Sequence, residues 1–116
     1  MSNQRKENKM GPIRQGDIIL FPAKQLPDGL VKVRRTRRGV VLAEGEVTGH
    51  AHCILDRDCD LFRQVDVDEM ADRFLRVESD VALMHDEHDT LTIPKGDWVV
   101  RHQREYAPEA PLYVAD

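Results

Sequence analysis

Serine occurs at only two positions, Ser2 and Ser79, and aromatic residues make up 5% of the 116-residue chain. There is no G-x-S-x-G, no glycine-rich phosphate loop and no H-E-x-x-H. These absences remove the serine-hydrolase elbow, the P-loop and the zinc-helix protease as routes to function. The two cysteines, Cys53 and Cys59, fit no zinc-ribbon spacing and are expected as free thiols in a reducing compartment. No apolar run approaches the roughly 20 residues that span a bilayer, and the start "MSNQRKENKM" carries no hydrophobic segment of a secretion signal. A cytoplasmic protein with no membrane partner is the expectation.

Apolar residues at 41% and charged residues at 33% suit one soluble domain with a modest core and a heavily charged surface. The net charge of −4 hides an asymmetry: residues 1–40 carry ten Lys/Arg against three Asp/Glu, and residues 41–116 carry seven against eighteen. A basic front therefore meets an acidic back.

Residues 1–13 are polar and charged and are expected as a flexible tail, with residues 14–116 as a single β domain. "GDIILF", "LVKVRRTRR", "VVLAEGEV", "HAHCILD", "FLRVE", "VALMH", "TLTI" and "DWVVRHQREY" all read as strands, being rich in β-branched residues and lacking a helical period. "LPDG" and "IPKGD" supply turn chemistry between them. The pattern predicts an all-β fold, a small barrel or sandwich of six to eight short strands. A short helix near 66–73, capped by Asp66 or Asp68, is the alternative to a turn there.

Four of the five histidines fall in two tight pairs, His50 with His52 in "GEVTGHAH" and His85 with His88 in "HDEHDTLTIPKG". Residues at i and i+2 of a strand share a face, so His50 and His52 can reach one ion. His85 and His88 would supply further ligands, with Asp56, Asp86 or Glu87 as carboxylate alternatives. Imidazole-rich sites suit zinc, so the expected cofactor is a divalent metal, either structural or activating a water. The plain alternative is four solvated loop histidines. Between the two lies a polar cluster whose rings titrate near neutrality.

H-x-H followed by a carboxylate, here His50, His52 and Asp56, resembles the first metal motif of the cupins. A P-x-G turn with a later histidine, Pro94, Gly96 and His102, resembles the second, though Asp stands where that family has Glu. The resemblance implies a β-barrel holding a divalent metal. Gln15 to Asp17, Leu42 to His52, His85 to His88 and Gly96 to Pro108 are together similar to a group of short uncharacterised bacterial and phage-associated proteins. That likeness implies importance for the histidines and brings no activity with it.

"VKVRRTRRG" puts Lys32, Arg34, Arg35, Arg37 and Arg38 within seven residues. A phosphate-contacting patch is one reading, and it makes a non-enzymatic accessory module bound to nucleic acid or an acidic protein the second functional expectation. A solvated hairpin is the other reading, and no aromatic interleaves with the arginines to stack bases. In "QREY", Glu105 and the preceding His102 are further candidates to ligate or to orient ligands. The sequence specifies neither substrate nor oligomeric state.

Overall fold

The computed structural model describes residues 11–44, 49–68 and 70–103. Ten strands follow in chain order: β1 (Ile13–Gln15), β2 (Ile18–Ala23), β3 (Val31–Lys32), β4 (Val40–Glu44), β5 (Ala51–Ile54), β6 (Cys59–Arg63), β7 (Arg73–Val77), β8 (Val81–Leu83), β9 (Leu91–Ile93) and β10 (Gly96–His102). No helix is present among the described residues, so none is long and apolar enough to cross a membrane. The fold is all-β and sandwich-like, and its sheets do not close into a barrel.

One sheet holds six strands in the order β1-β2-β10-β7-β6-β3, with every neighbouring pair antiparallel. The hairpins β4-β5 and β8-β9 form the facing layer. They are stitched together where Cys53 and Met84 exchange backbone hydrogen bonds of 2.9 and 2.8 Å. Alternation along the large sheet sends Ile18, Leu20, Leu61, Leu75, Val77, Trp98 and Val100 inward, where they meet Val40, Leu42, Ile54, Leu83 and Ile93 of the hairpins. Trp98 lies 1% exposed, and its indole N–H donates to the Pro94 carbonyl at 3.0 Å. A buried Trp needs such a partner.

Two strands lie outside the eight read from the sequence. β1 begins at Ile13, the last residue of the expected tail, and β6 is built on "CDLFR", whose Cys59 and Leu61 face the core while Asp60 and Phe62 do not. The helix alternative at 66–73 does not form among the described residues there. Asp66 takes a φ of 61°, outside the helical region. Asp68 accepts from the Met70 N–H at 2.8 Å through its side chain and from the Ala71 N–H at 3.2 Å through its carbonyl. That is a single side-chain-capped turn. It stops because Asp72 is clamped by Arg101 through two 2.9 Å hydrogen bonds as the chain enters β7.

Candidate functional site

The β1–β2 hairpin has a two-residue loop, since Gln15 pairs with Ile18. Gly16 occupies its first central position with a φ of 60°, the pattern of a type II′ turn. This turn aims Gln15 into the protein and sets Asp17 at its rim. A Cβ on Gly16 would stand 2.6 Å from Nε2 of His88 and 3.3 Å from Cε1 of His52. Glycine is therefore required for the turn and for the close approach of both imidazoles.

Gln15 is 2% exposed, and its amide N–H₂ donates to the carbonyls of Leu83 at 3.0 Å and Asp89 at 2.9 Å. With both hydrogens engaged, the amide oxygen is fixed as an acceptor. It faces Nδ1 of His52 at 2.8 Å, so Nδ1 carries the ring proton. In its neutral form the His52 ring then turns a lone pair on Nε2 toward Oδ1 of Asp17, 3.2 Å away. Burial first, and next the neighbouring His85 ring, push the His52 pKa below its ordinary value despite the pull of Asp17. Asp17 also bonds His102, whose Nε2 lies 2.8 Å from Oδ2. Burial alone would raise the Asp17 pKa. The hydrogen bond and charge of His102, reinforced by the backbone and His52, outweigh it and hold the carboxyl below its ordinary range. With the ring neutral, two acceptors therefore face each other 3.2 Å apart; with the ring protonated, His52 donates to the carboxylate.

The loop after β8 brings the second histidine pair to this end of the sandwich. Ring centroids are 4.4 Å apart for His52 and His85, 4.5 Å for His85 and His88, and 6.1 Å for the nearly parallel His52 and His88. His50 stands edge-on to His85 at 5.8 Å, and its Nδ1 lies 3.8 Å from Glu87. The four rings thus lie side by side, but they do not offer four lone pairs. Nδ1 of His85 accepts the backbone N–H groups of Glu87 at 3.0 Å and His88 at 3.3 Å, so its other nitrogen bears the proton. Among the described residues, no three His, Cys, Asp or Glu side chains surround a single point in this conformation.

The carboxylate alternatives serve the framework. Asp86 accepts from the Ala51 N–H at 3.2 Å and pairs with Arg38 at 3.1 Å. The Ala51 hydrogen bond, with Arg38 behind it, lowers its pKa. Asp56 lies at the far end of β5 from His50 and accepts from the Ala82 N–H at 2.8 Å. Likewise, Pro94 and Gly96 sit at the opposite end of β10 from His102, a separation of roughly 20 Å at strand rise. Of the residues in the two cupin-like motifs, Asp56 and the P-x-G turn thus lie away from the histidines, while His52 and His102 meet on the two oxygens of Asp17. Glu105 lies outside the described residues.

The basic run is largely committed to internal contacts. Lys32 pairs with Asp60 at 3.7 Å, and Arg35 donates to the carbonyls of Leu55, Asp56 and Cys59 at 3.1, 2.8 and 3.3 Å. Arg38 binds Gly49 O at 2.8 Å as well as Asp86. Arg34 and Arg37 alone of the five have no partner among the described residues.

A family model for a domain of unknown function, DUF8820, matches residues 14–103. The chain belongs to this family. No curated protein and no solved structure matches it. The match takes in the whole set built around the DUF8820 hairpin turn, from Gln15 to His102.

Sequence reading missed Gln15 and Asp17 as site residues. The available signal was a Gly-Asp pair between the short apolar runs "PI" and "IIL", which marks a hairpin turn.

Proposed function

We propose that this domain binds a divalent metal, zinc foremost, at the histidine-rich end of the sandwich, inside the cytoplasm, with the ion either structural or activating a water. The observation that carries the reading is the lone pair of His52 facing Asp17. Metal-bound imidazoles characteristically donate their second N–H to a fixed acceptor, and Gln15 is such an acceptor on Nδ1. Two ligands about 2.0–2.1 Å from a tetrahedral zinc stand roughly 3.3 Å apart, close to the 3.2 Å between Nε2 of His52 and Oδ1 of Asp17. His102, on the other oxygen of Asp17, is the third group of the set, and His88, packed on Gly16, is the fourth. Binding turns His102 and His88 toward the ion. The expected quartet changes accordingly: His52 and His88 remain, while His85 and His50 wall the site. Asp17 is half exposed, so the ion would meet solvent and could hold a water.

The nucleic-acid reading has less behind it, because three of its five cations hold the protein's own carbonyls and carboxylates. The deciding measurement is metal content and zinc titration of untagged protein. About one zinc per chain with micromolar or tighter affinity, weakened by more than about tenfold in Asp17→Asn, is the expected result. Wild-type protein that neither carries metal nor takes up zinc overturns the reading.

A further inference from the structure

A cavity of about 440 Å³ opens where β4, the segment after β3, the turn before β7 and the end of β10 converge. Its volume lies within the usual range for small-molecule sites. Its floor is core: Ile18, Leu42 and Val100 are buried, and Met70 and Ala71 continue the apolar lining to the rim. β4, at the cavity wall, is irregular. The register against β5 slips between Val41 and Ala43, and such a bulge bends its strand.

The polar groups around this apolar floor are unevenly charged. Arg34 and Arg73 both line it, and neither side chain has a hydrogen bond or ion pair to any described residue. Glu44 opposes them as the single carboxylate among the described lining residues. Arg35, Arg38, Arg76 and Arg101, which do not line the cavity, have protein partners. Arg73 is only partly exposed, and its guanidinium has no acceptor among the described residues. A planar guanidinium fork matches a carboxylate, and the apolar floor matches a hydrocarbon or aromatic body.

From these features we infer that the cavity is a binding site for a small monocarboxylate with an apolar body, its carboxylate held by Arg73 and Arg34 and its tail on Ile18, Leu42 and Val100. His102 forms the wall shared with the candidate metal site, but the carboxylate site does not depend on a metal.

Octanoate, titrated into the full chain in the presence of EDTA and followed by ¹⁵N–¹H correlation spectra, tests this directly. Saturable shifts at Val41, Ala71, Arg73 and Val100 are expected below about 5 mM, as a millimolar dissociation constant requires. Arg73→Gln should weaken binding by roughly tenfold while leaving the spectrum of the free protein folded, and octanol should bind more weakly by a similar factor. Ala71→Leu, which fills the cavity without touching the arginines, should also abolish the shifts. The inference is overturned if octanoate produces no saturable shifts, if octanol binds equally well, or if the shifts map away from the cavity. Because EDTA is present throughout, none of these outcomes depends on the metal reading.

Discussion

The amide oxygen of Gln15 accepts from Nδ1 of His52 at 2.8 Å, and this one contact decides which tautomer the neutral ring adopts. Both partners are buried, and the Gln15 N–H₂ group is spent on two carbonyls. Gln15→Leu would strand the imidazole N–H and the carbonyls of Leu83 and Asp89. A buried polar group left unpaired costs about 1–3 kcal/mol, so the variant should lose roughly 2–4 kcal/mol in urea unfolding at unchanged m-value. Its His52 should also lose the single tautomer, read from ¹⁵N shifts of the ring. A loss under about 0.5 kcal/mol would show that the amide is not the orienting group.

Gly16→Ala brings two penalties together, a positive φ for an L-residue and a Cβ 2.6 Å from the His88 ring. His88 must move, and the hairpin turn is strained. A loss of about 1–3 kcal/mol is expected, seen as a melting point lower by roughly 5–20 °C for a domain of this size. An unchanged melting point would contradict the turn assignment.

The strand pattern of the outer chain was legible because it is local. β2 and β10 announce themselves through β-branched runs bounded by Gly or Pro, and the free cysteines followed from their spacing and context. β1 and β6 were not legible: the first is three residues long, and the second has charged and aromatic residues on the face away from the core. The site was half legible. Alternation marked His52 as a directed side chain, whereas its neighbours depend on the Cys53–Met84 bridge and the β1–β2 turn, which join residues 31 to 85 positions apart. No periodicity carries that information.

The low pKa of His52 makes stability depend on pH in metal-free protein. Its folded value lies below the ordinary 6.5, so the unfolded chain binds the proton more readily. The contribution is fully present above 6.5 and lost as pH falls from there through the folded value. Asp17, lowered from 3.8, adds a second loss at lower pH by the same sign. The urea midpoint in EDTA should therefore fall between pH 7.5 and 5.5 in wild type and fall less in His52→Gln. A midpoint that rises on acidification would reverse the assignment.

Cys59 is 1% exposed, and burial raises its thiol pKa to about 11 despite Arg35 nearby. The reactive thiolate is thus scarce at pH 8, and Cys53 is buried as well. Neither thiol should react with a disulfide reagent within minutes in native protein, and both should react in denaturant. Fast native labelling would mean that the β5–β6 region opens readily.

Asp17 and Asp86 lie near the same histidines, yet the geometry gives them different work. Asp86 clamps the loop of His85 and His88 to β5 by accepting from the Ala51 N–H and to the β3–β4 connection through Arg38. Asp17 faces two imidazole Nε2 atoms and a half-exposed rim. Asp86→Ala should lower the urea midpoint because the Ala51 N–H and the Arg38 guanidinium lose their acceptor, while zinc stoichiometry stays unchanged. Asp17→Asn keeps size and much of the hydrogen bonding, so it should fold normally and weaken zinc binding by more than about tenfold, since removal of even an outer-shell partner of a metal ligand costs that much. Parallel zinc titrations and urea melts of the two variants separate ligand from clamp. Zinc binding lost in Asp86→Ala and kept in Asp17→Asn would move the ion to the His50–Glu87 side of the cluster.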